Sequence, residues 1–170
     1  MKTLYILRHA KSSWNDPSLA DFDRPLNERG LNAAPFIGEV MARKGVVADL
    51  IISSPAKRTM ETAVLVKEAS GSNASIQYDE RIYEASTQTL RLVISQIDEK
   101  IESALIVGHN PGMEGLISLL TGRLEPMPTA SLAAVILGVD NWDETVEKCG
   151  PLQVVIRPSE EMKALGKLDS

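Results

Sequence analysis

The sequence predicts an α/β domain built on a largely parallel sheet. Short apolar runs alternate with longer segments of helical period along the chain. The runs are continuously apolar instead of alternating with polar residues, as expected of strands covered on both faces. At 170 residues the chain is long enough for one well-buried core and short for two. A single domain over residues 1–170 is therefore expected.

Leu4-Tyr5-Ile6-Leu7 reads as the first strand. Asn32 is then placed to cap a helix whose first turn accommodates Pro35 and whose end is marked by Gly45. Leu50-Ile51-Ile52 is a second strand, followed by a helix capped by Ser54 with Pro55 as its first residue. Ile76 to Tyr78 is a further strand candidate. Leu90, Val93, Ile94, Ile97 and Ile101 recur at helical spacing and predict one buried helix face. Ala104 to Val107 forms the next strand, and Asn110-Pro111 repeats the capping device before Leu116 to Leu120. Leu132 to Leu137 and Leu152 to Ile156 read as two strands antiparallel to each other around a turn near Asp140-Asn141. Glu160, Glu161, Lys163 and Lys167 suit a solvated helix face.

Hydrophobic residues make up 44% and charged residues 24%, the balance of a globular chain and not a disordered one. The net charge of -5 argues against general nucleic-acid binding, which selects a basic surface. The apolar run Thr3 to Leu7 is too brief for a signal peptide, and no stretch approaches the roughly 20 apolar residues of a membrane span. The single cysteine, Cys149, cannot form an internal disulfide and fits a reducing cytoplasm. No His, Cys and carboxylate cluster has metal-ligand spacing, so neither a metal nor another cofactor is expected.

The polar residues fall at telling places. Arg8-His9 follows the first strand, Ser53-Ser54 with Arg58 the second, and Gly108-His109-Asn110 the run ending at Val107. Ligands of open α/β sheets bind beyond the carboxyl ends of parallel strands, so these segments are placed to converge on one crevice. A lone histidine after a strand is ordinarily a hydrogen-bonded structural residue. Here both histidines of the chain occupy strand ends, beside arginines whose planar guanidinium groups suit bidentate contact with phosphate oxygens.

Arg8-His9-Ala10-Lys11-Ser12-Ser13-Trp14-Asn15 resembles the Arg-His-Gly motif of the histidine phosphatase superfamily. Pro25-Leu26-Asn27-Glu28-Arg29-Gly30, Ser53-Ser54-Pro55-Ala56-Lys57-Arg58-Thr59 with Thr62, and Val107-Gly108-His109-Asn110 follow in the family's order. The resemblance implies a three-layer αβα sandwich like that of the phosphoglycerate mutases. It also implies a pocket of Arg8, His9, Arg58 and His109, with His9 as the nucleophile that becomes a phosphohistidine. Asn15 matches a polar position near the phosphate in many members, and Ser12 falls at its rim. Glu84 falls where many family phosphatases carry a proton-donating acid, although a solvated surface glutamate is the competing reading.

Ala10 and Lys11 stand where the mutases carry Gly and Glu, and the segment between Tyr78 and Ala104 leaves little room for a substrate-enclosing insertion. The chain is more similar to the compact bacterial branch of phosphohistidine phosphatases. The substrate so implied is a phosphorylated protein carrying phosphohistidine. A small phosphate ester, or a non-catalytic phosphate-binding module, remains open. Trp14 either lines the pocket mouth or packs beside its loop.

Overall fold

The computed structural model describes residues 1–166. A six-stranded sheet is formed by β1 (Lys2–Arg8), β2 (Leu50–Ser53), β3 (Ser75–Tyr78), β4 (Ser103–Gly108), β5 (Leu132–Leu137) and β6 (Leu152–Ile156). Their order is β3-β2-β4-β1-β5-β6. The pairs β3/β2, β2/β4 and β4/β1 are parallel, while β5 runs antiparallel to both of its neighbours. β5 is thus the one strand of the six that opposes the rest.

Alternation along the strands splits the core in two. Leu4, Ile6, Ala104 and Ile106 point to one face, where they meet α3 (Thr87–Ser95) and α4 (Gly112–Thr121). Leu7, Leu105 and Val107 point to the other, against α1 (Glu28–Arg43) and α2 (Lys57–Ser70), with Met162 of α5 (Pro158–Ala164) at its edge. Helices on both faces make a three-layer αβα sandwich. Each fully buried aliphatic side chain here contributes roughly 1.5–3 kcal/mol. Among the described residues no helix is long and apolar enough to cross a membrane.

Several helix boundaries differ from those expected. α1 begins at Glu28, not near Asn32, because the Asn27 side chain accepts a hydrogen bond from the Gly30 N–H and sets an earlier cap. Pro35 consequently lies inside the helix. The carbonyl of exposed Leu31, which loses its usual donor, sits on the side open to water. α2 begins at Lys57, with Ala56 at the cap and no capping side chain. Ser54 and Pro55 belong to the turn before it. α3 ends at Ser95, so Ile97 and Ile101 reach the same apolar core from the following turn, held by the Asp98 side chain accepting from the Lys100 N–H. Between β5 and β6 the chain makes a longer connection than a tight turn, including a 3₁₀ turn at Trp142–Glu144 capped by Asn141. α5 carries Glu160, Glu161 and Lys163, with Glu161 paired to Lys44; Lys167 lies outside the described residues.

The start of α1 braces the segment that follows β1. The Asn27 N–H donates to Lys11 O at 3.0 Å, Ser13 N–H donates to Pro25 O at 2.8 Å, and Ser12 bridges to Leu26. Gly30 lies so close that a Cβ there would overlap the Lys11 carbonyl oxygen. Gly30→Ala should therefore destabilise the chain by about 1–3 kcal/mol, whereas Gly45→Ala, which has open space but a positive φ, should cost about 1 kcal/mol. Urea unfolding midpoints would check this, and equal effects would contradict the close approach.

Candidate functional site

Three strand ends meet at one edge of the sheet. β1 and β4 are neighbours in register, with Arg8 opposite Gly108, so His9 and His109 emerge side by side. The His9 N–H donates to Gly108 O, and the Ala130 N–H is shared between the Arg8 and His9 carbonyls. From the other side, Thr62 Oγ1 on α2 accepts from the Ala10 N–H and donates to Arg58 O. The backbone carrying His9 is thus tied to the helix carrying Arg58.

The protonation of His9 follows from its partner. Nδ1 lies 2.7 Å from Ala10 O, and a carbonyl only accepts, so the neutral ring carries its proton on Nδ1 and presents a lone pair at Nε2. His9 is 7% exposed. Burial lowers its pKa to about 4, opposed by the bond to Ala10 O and reinforced by Arg58, Arg8 and Arg24. The ring centroids of His9 and His109 are 5.3 Å apart. His109 Nε2 lies 2.9 Å from Ser54 Oγ, and its Nδ1 is buried with no protein partner. Burial, then Arg58 and His9, lower its pKa to about 3.

The guanidinium groups are fixed from behind. Arg8 Nη1 donates to Met127 O at 3.0 Å, leaving its buried Nε without a protein partner. Met127 is itself held by Asn110 Nδ2 and by Glu114 at the start of α4. Arg58 donates from Nη1 to Asp21 O and from Nη2 to Asp21 Oδ2. Asp21 also takes a hydrogen bond from Arg24 Nη1 and one from the Tyr83 hydroxyl at 2.6 Å. The bond from Tyr83, with those from the two arginines, holds the Asp21 carboxyl well below the usual carboxylate range. Burial and Asp21 push the Tyr83 hydroxyl up to about 12, so it remains a donor.

A profile of the histidine phosphatase superfamily (branch 1) matches residues 4–114, which span every one of these groups except the loop around Met127. The chain belongs to the histidine phosphatase superfamily. It is 31% identical over 159 residues to an uncharacterized chloroplastic protein of Arabidopsis thaliana, covering 88% of this chain and 73% of that one. A solved structure from Agrobacterium tumefaciens, provisionally named phosphohistidine phosphatase SixA, is 31% identical with a TM-score of 0.78, covering 92% and 98% of the two chains. The protein histidine phosphatase SixA solved with tungstate shares the fold at a TM-score of 0.81 and 18% identity, covering 94% and 99%.

The superfamily residues occupy two adjoining clefts that share Arg58. One is lined by Arg8, His9, Lys11, Ser12, Trp14, Arg24 and Thr129. The other, about 460 Å3, is lined by Asp21, Tyr83, Glu84, His109 and Asn110 among others. Arg8, His9, Arg58 and His109 are therefore brought together, with Glu84 in the His109 cleft, exposed and in a left-handed backbone conformation at φ 54°. Ser12 reaches the His9 cleft, where its Oγ accepts from Arg24 Nη2. Asn15 is exposed, outside both clefts, with its backbone N–H bonded to Ser13 Oγ. Trp14 lies at the mouth, its ring stacked on Arg24 with the guanidinium carbon 3.2 Å from the centroid.

Sequence reasoning missed Arg24, Asp21 and Tyr83. Arg24 directly precedes the Pro25 motif, a signal that was available, and the fold buries it; Asp21 sits on an exposed 3₁₀ turn that no pattern singles out. Among the described residues no three His, Cys or carboxylate side chains gather as a metal site.

With two histidines in the chain, nitrogen NMR resolves each ring directly. Both should remain neutral at pH 5.5, with His9 taking up its proton near pH 4 and His109 lower still. An unfolded chain protonates its histidines near pH 6.5. Stability should therefore be complete above that pH and decline as pH falls toward 4, because the unfolded state binds protons first. Titration of either ring near 6.5 in the folded protein would contradict this.

Proposed function

We propose that this chain is a protein phosphohistidine phosphatase that works through a phosphohistidine on His9. The observation that carries the reading is the neutral, buried His9 ring, its Nδ1–H committed to Ala10 O and its Nε2 lone pair set among guanidinium groups. A nucleophile needs an available lone pair at working pH, and a phosphoryl dianion needs fixed positive charge around it. His9 Nε2 attacks phosphorus in line, the bond from phosphorus to the leaving nitrogen breaks, and that nitrogen departs with a proton. Water then attacks the phosphohistidine, releasing inorganic phosphate and restoring neutral His9. Arg8, through its unpartnered Nε, Arg58 and His109 hold the phosphoryl oxygens, Ser12 serves as a substrate-binding residue at the rim of the His9 cleft, and Asn15, outside both clefts, meets only the part of the substrate beyond the phosphoryl group.

No metal or other cofactor takes part in this reading. Arg8, Arg24 and Arg58 make the cleft hostile to a divalent cation while supplying the charge such an ion would bring. The chain acts as one domain over residues 1–170 in the cytoplasm, on a phosphorylated protein partner, without nucleic acid or membrane. Arg58→Ala should lower turnover by about 10²–10³-fold, and a chelator should leave it unchanged; chelator-sensitive turnover would count against the proposal.

A second reading, a small-molecule phosphomonoesterase, is favoured by Glu84, which lines the His109 cleft where a leaving group would extend. An alkoxide leaving group needs a proton more than an imidazole that is already protonated. Glu84→Gln should therefore cost roughly a hundredfold on an alkyl phosphate and little on phosphohistidine; equal losses would remove the distinction. Rapid quenching with labelled phosphohistidine protein should trap an acid-labile, alkali-stable label that disappears, with turnover, in His9→Ala. A tight complex that never yields a covalent label would indicate a phosphate-binding module instead.

A further inference from the structure

Ser54 is completely buried and is not accounted for as a helix cap, because α2 starts three residues later. Its Oγ accepts from the Ala56 N–H at 3.2 Å and lies 2.9 Å from His109 Nε2. The Ser54 carbonyl is occupied from the far side by the hydroxyls of Ser53 and Thr59. Of the two partners of this fully buried hydroxyl, the Ala56 N–H only donates, so the Ser54 proton has His109 Nε2 as its acceptor.

We infer that Ser54 is a positioning residue that fixes His109 as its Nδ1–H tautomer, so that a neutral N–H donor is presented to the phosphoryl oxygens. This rests on the phosphatase reading of the site. The opposite tautomer would place an N–H against Ser54 Oγ, strand the serine proton in the interior, and turn a lone pair on Nδ1 toward an anion. An imidazolium at this position would strand the serine proton in the same way. His109 Nδ1 is one of three buried side-chain atoms without a protein partner among the described residues, and Arg8 Nε, in the same constellation, is another. With the proton on Nδ1, these two unpartnered nitrogens are two donors at one site, which a tetrahedral anion with several acceptor oxygens satisfies.

The consequence is a division of labour between two histidines that look equivalent in the sequence. His9 has its proton on Nδ1 because a carbonyl demands it, and offers Nε2 as nucleophile. His109 has its proton on Nδ1 because a hydroxyl donates to Nε2, and offers Nδ1–H as electrophile. His109 is thereby a hydrogen-bond donor and not the acid that protonates the leaving group.

Nitrogen NMR of the wild-type protein reads the tautomer without substrate. The expected result is a protonated Nδ1 on His109, whose resonance moves when inorganic phosphate is added. Ser54→Ala should release the tautomer preference and lower kcat/KM about ten- to a hundredfold, while Ser54→Thr, which keeps the hydroxyl, should restore both. An Nε2–H ring in the wild type would overturn the assignment whether or not His9 becomes phosphorylated, and so would a Ser54→Ala protein with unchanged tautomer and turnover. A missing phosphoenzyme would sink the phosphatase reading but leave the tautomer as found.

Discussion

Two imidazoles, one buried and one half-buried, beside three guanidinium groups set the terms for the rest of this cleft. Each imidazolium would be desolvated and repelled, so both rings stay neutral far below the pH at which a free histidine charges. The arginines face the same difficulty with one another, and Asp21 resolves it by bridging Arg24 and Arg58. What remains is a site with fixed positive charge, neutral nitrogen bases and donors without partners. A phosphoryl dianion complements each of those features, and the electrostatics are preorganised before it arrives.

The sheet supplies the placement that this electrostatic arrangement requires. Parallel pairing of β1 with β4 puts His9 and His109 at the same edge, and parallel pairing of β2 with β4 adds Ser54 beside them. The loop after β1 is braced from outside by the start of α1, where Gly30 lets Lys11 approach. The segment before β5 closes the other side, with Met127 O receiving both Arg8 and Asn110. Residues far apart in sequence thus hold one another, and the carbonyl of Ala10 beside His9 fixes the ring proton on Nδ1 and leaves the lone pair at Nε2.

Much of this was legible in the residues alone. The central strands are marked by continuous apolar runs, because burial on both faces leaves no polar position, and Arg8 and both histidines stand directly at strand ends, with Arg58 in the first turn of the helix that follows β2. Helix starts were less legible: Asn27 and Asn32 have the same capping chemistry, and only the brace against Lys11 chooses between them. Ile97 and Ile101 kept helical spacing without a helix, since a turn can deliver an apolar side chain to the same core. Asp21 and Tyr83 carry no local pattern, being defined by contacts across 62 residues of sequence. Ser54 was visible as a motif member, but its relation to His109 depends on where its hydroxyl proton can go, which requires the fold.

A crystal structure with inorganic phosphate or tungstate bound would test the central claim most directly. The account predicts the anion beside His9 Nε2, with Arg8 Nε, Arg58 and His109 Nδ1 each donating to its oxygens and Asp21 still bridging Arg24 and Arg58. An anion held elsewhere, or one that approaches neither His9 Nε2 nor His109 Nδ1, would contradict it.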